Sequence, residues 1–120
     1  MSLINMDFAN GGGNSNVKNA RAGYISQLTT NTEINVGFEF NCLFIAYYTG
    51  NGVVQYIDLD LRKSTTDYER WYNNNVAKVE TLGSPSDNTP LNNITSTTFI
   101  TTNKTTATFK NLYWCAYYEA

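Results

Sequence analysis

Apolar side chains stand at alternate positions through much of this 120-residue chain, the spacing of strands that bury one face. Ile34, Val36 and Phe38 alternate with Glu33, Asn35 and Gly37, and residues 23–29 read as a preceding strand that turns at Thr30-Asn31. Residues 41–48 are apolar on both faces, which predicts a central strand covered on two sides. Thr49-Gly50-Asn51-Gly52 follows and residues 53–59 return; Asn and Gly readily take the positive φ of a tight hairpin. A second hairpin is predicted from 68–72 to 76–82, turning at Asn73-Asn74-Asn75, because Asn tolerates the left-handed region. Pro85, Ser86, Asp87, Asn88 and Pro90 mark 83–93 as an exposed loop. The Thr-rich segments 95–101 and 105–110 and the aromatic segment 112–119 complete the strands. No stretch sustains a 3.6-residue period, so little helix is expected. The pattern predicts an all-β domain, an antiparallel β-sandwich or jelly-roll-like barrel of about eight strands.

The first residues have a different texture. Ile4, Met6 and Phe8 alternate with Asn5, Asp7 and Ala9, and a Gly- and Asn-rich stretch at 10–16 follows, flexible by composition. Residues 1–22 are read as an extended arm with its linker, and 23–120 as one β domain. Burying the three apolar side chains stabilises by about 1.5–3 kcal/mol each. Ordering the backbone that carries them costs about 1–2 kcal/mol per residue. These terms nearly cancel, so the arm is expected to dock only where a sheet edge adds main-chain hydrogen bonds. Its own domain and a neighbouring copy or other protein are all open as that edge, and the arm can also stay disordered.

Composition narrows the chemistry. A length of 120 residues suits a single domain. Charged residues make up 15%, below the usual roughly 25%, so solubility falls to Asn, Thr, Ser and Gln. A formal net charge of −2 gives no basic footprint for nucleic acid and no polybasic membrane patch. No apolar run approaches the roughly 18 residues of a membrane span. The opening residues lack the basic and apolar regions of a signal peptide, so synthesis in a cytosol is expected. In that compartment Cys42 and Cys115 are expected as reduced, buried small side chains rather than a disulfide.

With no His in the chain, a nucleophile activated by imidazole is excluded. Asp58 and Asp60, with Asp67 and Glu69 beyond them, offer a weak Ca²⁺ pattern, but acids alternating on a solvent-facing strand look the same. No pair among Glu33, Glu39, Asp58, Asp60, Asp67, Glu69 and Glu80 is singled out by spacing for glycoside hydrolysis. Gly11-Gly12-Gly13 precedes neither a Lys-Ser/Thr pair nor a helix, so it is a linker and not a phosphate loop. Asn93-Ile94-Thr95 and Asn103-Lys104-Thr105 match a glycosylation sequon, which an Asn- and Thr-rich chain produces by chance. Neither an enzyme nor a bound cofactor or metal is expected.

The aromatic residues are the best site candidates. Tyr47, Tyr48, Tyr56, Tyr68, Trp71, Tyr72, Tyr113, Trp114, Tyr117 and Tyr118 exceed what one small core can hide, so some must face solvent. Rings beside Asn and Thr suit a protein interface, and they also suit stacking on a sugar. Trp71, Tyr72, Asn74 at the predicted hairpin tip, and Tyr117 are the candidates for either role. Ile4, Met6 and Phe8 are the candidate assembly residues of the arm.

Ile4-Asn5-Met6-Asp7-Phe8-Ala9-Asn10-Gly11-Gly12-Gly13 resembles the start of small virion structural proteins of tailed bacteriophages and prophages. In these a brief Asn-Met-Asp-Phe segment and a Gly-rich stretch precede a β domain. Thr105-Thr106-Ala107-Thr108-Phe109 and Leu112-Tyr113-Trp114-Cys115-Ala116-Tyr117-Tyr118 look like the terminal strands of tail-associated β domains. The resemblance covers only these two ends. It implies a non-enzymatic particle component of a tail, fibre, baseplate or capsid decoration, made in the host cytoplasm and resident in the virion. Its partners would be copies of itself and other virion proteins. The alternative is a host-adsorption module that binds a surface glycan through exposed aromatics.

Overall fold

The computed structural model describes residues 17–72, 76–82, 89–103 and 108–120. Nine strands run through them: β1 (Val17–Gln27), β2 (Thr32–Asn35), β3 (Cys42–Thr49), β4 (Val54–Asp60), β5 (Asp67–Tyr72), β6 (Val76–Thr81), β7 (Leu91–Ile94), β8 (Thr98–Thr101) and β9 (Phe109–Glu119). They form a six-stranded sheet in the order β1-β9-β3-β4-β5-β6 and a three-stranded sheet in the order β2-β8-β7. Every pairing is antiparallel. The molecule is thus the all-β antiparallel sandwich that the alternation predicts, and no helix occurs among the described residues.

Alternation sets the inner face of the larger sheet. Leu43, Ile45 and Tyr47 of β3, Ile57 and Leu59 of β4, Tyr68 of β5, and Leu112, Trp114 and Ala116 of β9 enter one core. The smaller sheet and its flanks supply Val36, Phe40, Leu91 and Phe99. Rings meet edge to face, the geometry their quadrupoles favour: Phe99–Trp114 at 5.3 Å and Tyr47–Phe109 at 5.3 Å between centroids. Gly23 lies opposite Trp114 in the β1–β9 register. A Cβ there would sit 2.5 Å from the indole, so glycine makes room for the largest ring of the core.

The β3–β4 hairpin forms where predicted, with one change of detail. Gly52 alone takes positive φ, at 79°. Gly52 N–H donates to Thr49 O at 2.9 Å, and Thr49 N–H donates to Val53 O at 2.8 Å. This is the three-residue connection whose last position is left-handed. Asn31, in the predicted turn before β2, also takes positive φ, at 51°. The Asn73-Asn74-Asn75 turn lies outside the described residues, but its flanks pair Tyr72 with Val76 as a hairpin requires.

Three boundaries differ from the sequence reading. The arm was bounded at residue 22, yet residues 17–22 are part of β1 and pair with β9. This stretch lacks strict alternation. Main-chain pairing holds it, together with the Arg21 guanidinium, which donates to Asn35 O at 3.2 Å and Val36 O at 3.1 Å. The exposed loop predicted over 83–93 contains β7, and Thr89, Pro90 and Leu91 are buried. A buried hydrogen bond between the Tyr68 hydroxyl and Thr89 Oγ1, 3.1 Å long, and the core seat of Leu91 override the turn-rich composition. The separate strands expected at 105–110 and 112–119 are joined from Phe109 onward as β9, which absorbs Asn111 (φ 52°) as a bulge; residues 104–107 lie outside the described ones.

Candidate functional site

The outer face of the larger sheet collects the side chains that alternation turns away from the core. Register builds one row across it: Tyr24, Tyr113, Ala46, Tyr56, Trp71. The next row reads Ala22, Cys115, Phe44, Asp58, Glu69, Val79. The exposed large hydrophobic residues among those described are Tyr24, Tyr48, Val53, Val54, Tyr56, Val79 and Tyr113. All except Val53, which sits in the β3–β4 turn, belong to this one face. Single exposed apolar residues are ordinary; their gathering on one face makes this face the candidate interaction surface.

Tyr24 and Tyr113 form its end at β1 and β9. They are 50% and 54% exposed, and their rings lie 4.5 Å apart with a 32° tilt. The Tyr24 hydroxyl donates to Asn111 Oδ1 at 3.0 Å. The left-handed bulge at Asn111 therefore fixes the orientation of the ring beside it. Tyr48 and Val54 are direct cross-strand neighbours on the same face, and Tyr56 leans toward Phe44 at 5.9 Å.

The acidic residues gather farther along this face. Asp58, Asp60, Asp67 and Glu69 line a cleft of ≈ 400 Å³ with Lys63, Ser64 and Val79. Asp58 and Glu69 are direct cross-strand partners. Asp60 is engaged by Arg62, whose guanidinium donates to its two oxygens at 2.8 and 2.9 Å. That hydrogen bonding holds the Asp60 carboxyl below its ordinary value. Asp67 accepts from Thr81 Oγ1 at 2.8 Å. Among the described residues no group of three or more Cys, Asp or Glu has the arrangement to hold a metal ion.

Of the residues proposed from sequence, Trp71 lies in the aromatic row, half-buried, with its indole Nε1 buried and without a hydrogen-bond partner. Tyr72 falls in β5, but its side chain lies outside the described residues, as do Asn74, Ile4, Met6 and Phe8. Tyr117 requires correction as a surface candidate. It is 2% exposed and packs with Cys42, Cys115, Val17 and Ala20. Sequence reasoning missed Tyr24 and Asn111. Their only signal is the β1–β9 register, which joins residues 87 positions apart.

Cys42 and Cys115 are buried and form no disulfide, as expected from the sequence. Cys42 pairs with Tyr117 and Cys115 with Phe44, so the two thiols are diagonal neighbours, a longer separation than directly opposed residues have. Burial pushes both thiols up to about 11; a hydrogen bond with Tyr117 partly opposes this at Cys42.

The remaining feature is an edge. From Lys18 to Gln27, β1 has β9 on one side and no strand on the other among the described residues. The other sheet borders are β6, β2 and β7, all shorter. Among the described residues no helix is long and apolar enough to cross a membrane. No family model, curated protein or solved structure matches the chain.

Proposed function

We propose that this chain is a non-enzymatic subunit of a larger particle, of the kind its two ends resemble in tailed-phage virions, and that it assembles by strand addition. The arm of one copy, through Ile4, Met6 and Phe8, pairs with the open edge of β1 on the next. The observation that carries this is the length of that edge. It presents a run of main-chain donors and acceptors from Lys18 to Gln27, a ready template for an incoming strand.

Charge favours the arm over a second β1 as the occupant. β1 carries Lys18 and Arg21 and no acidic residue, so a second β1 brings no opposite charge to this edge. Residues 1–16 carry one charged side chain, Asp7, of opposite sign. Each main-chain hydrogen bond gained contributes about 0.5–1.5 kcal/mol net. That is enough to tip the near-balance between burying three apolar side chains and ordering the segment. Repetition around a symmetric particle then multiplies a weak contact.

Removing residues 1–13 tests this. Light scattering coupled to size exclusion should show the full chain as an oligomer and the truncated chain as a folded monomer. An oligomer of unchanged subunit number after truncation would overturn the proposal.

A further inference from the structure

We infer that the outer face around Tyr24, Tyr113, Ala46, Tyr48 and Tyr56 is a binding platform for a neutral, hydroxyl-rich saccharide. The rings stand on the face of the sheet, whereas the assembly reading uses main-chain groups along the border of β1, the strand that also carries Tyr24; the inference goes beyond that reading and does not depend on it.

The size of the patch argues for a small occupant. The exposed portions of its four tyrosines and of Val54 amount to roughly 400 Å², taking about 200 Å² for a whole tyrosine side chain. A stable protein partner usually covers about 800 Å² on each side. The patch is about half of that, whereas a few sugar rings cover it.

Its chemistry argues the same way. The exposed rings here are all tyrosines, which pair a flat apolar surface with a polar tip. Among the described residues the hydroxyls of Tyr48, Tyr56 and Tyr113 take part in no hydrogen bond, whereas that of Tyr24 is held by Asn111. The Asn111 amide nitrogen keeps its donors, and Lys110, opposite Tyr48 in the register, adds an ammonium at the rim. Donors, acceptors and ring faces thus lie together, as alternating C–H and O–H groups of a pyranose require.

Shape follows from register. Ala46 stands between Tyr113 and Tyr56 in one cross-strand row. The two tyrosines are therefore two strand spacings apart, about 9.5 Å at the backbone, with only a methyl group between them. The resulting dip has a ring on either side and the Tyr48 ring at one end. The Tyr24–Tyr113 stack and its Asn111 bond are already in place, so little ordering is needed on binding.

Charge sets the class of sugar. The neighbouring row carries Asp58 and Glu69, with Asp67 close by; Asp60 is taken up by Arg62, and Lys63 in the same cleft offsets one further charge. That field repels sialylated, sulfated or phosphorylated glycans and leaves neutral ones.

The test uses the full chain on an array of neutral and acidic bacterial and plant oligosaccharides. Saturation-transfer NMR against cellohexaose, maltohexaose and chitohexaose would follow. Saturable binding of a neutral saccharide is expected, together with perturbed Tyr24 and Tyr113 ring signals. Tyr113→Ala should weaken binding at least tenfold. Ala46→Gln, which fills the dip and leaves every ring in place, should weaken it similarly, so a folding defect at Tyr113 would not obscure the result. Truncation of residues 1–13 should leave the affinity per site unchanged, which separates this inference from the assembly reading. A folded chain that binds no neutral saccharide on the array would overturn it. So would substitutions at Tyr113 and Ala46 that alter the oligomeric mass without altering saccharide binding, since the face would then be a subunit interface.

Discussion

Gly23 and Trp114 show how closely single residues fit in this core. A methyl group at residue 23 would meet the indole at 2.5 Å, and overpacking of this kind costs about 1–3 kcal/mol. Gly23→Ala should lower the unfolding free energy by that amount, read as a lower urea midpoint with an unchanged slope. The thiols make a second case. Both lie near 11 because burial disfavours the thiolate, whereas unfolded Cys ionises near its ordinary 9.0. The native state therefore holds its protons longer. The contribution to stability is complete below about pH 8.5 and is lost as pH rises toward the folded value. Alkylation at pH 8 should leave Cys42 and Cys115 unmodified in the native protein and modify both in urea; rapid native labelling would contradict the burial. Asp60 has the opposite sign. Its carboxyl is depressed by Arg62, so its stabilisation is present above the ordinary carboxylate range and fades as pH falls below it. The pair is partly exposed, with 41% and 23% of the two side chains accessible, so Arg62→Met should cost no more than about 1 kcal/mol at pH 7. The loss should shrink in acid unfolding curves as pH falls. The residue types forecast the reduced, buried state of the cysteines. They could not forecast Tyr117, because the side chains that bury it, Cys42 and Ala20 among them, come from other strands.

The strands β3 and β4 and their turn were legible because every signal was local. An apolar run, a Gly-containing turn and a second alternating run follow one another within residues 41–59. At Gly52 the φ of 79° is the constraint, and no atom would crowd an added methyl. Gly52→Ala should therefore destabilise by about 1 kcal/mol through backbone strain alone, measured by thermal unfolding, while Gly50 offers no such φ. The strand β7 was hidden for the converse reason. It is four residues long, it follows a proline-rich stretch, and its place is set by Leu91 in the core and by pairing with β8. β1 was only half legible because residues 17–22 are held by main-chain pairing and by Arg21, which leave no period-2 trace. The candidate site divides the same way. An excess of aromatic residues announces an exposed aromatic surface. Which rings compose it depends on the non-local β1–β9 and β3–β9 registers.

The unequal sheets give the molecule two unlike surfaces. The inner face of the larger sheet and the smaller sheet share the core, while the outer face carries aromatic and acidic rows and β1 has no strand beyond it among the described residues. Edges of this length invite pairing, and natural sheets usually block them with charge, proline or cover. The proposed assembly sets the segment that carries Asp7 on this border, beside Lys18. Assembly through that border makes a prediction that intramolecular docking does not. Hydrogen exchange of the outward-facing β1 amides between Lys18 and Gln27 should slow as protein concentration rises. That added protection should vanish when residues 1–13 are removed. Protection that is the same at every concentration, with and without those residues, would contradict assembly through β1.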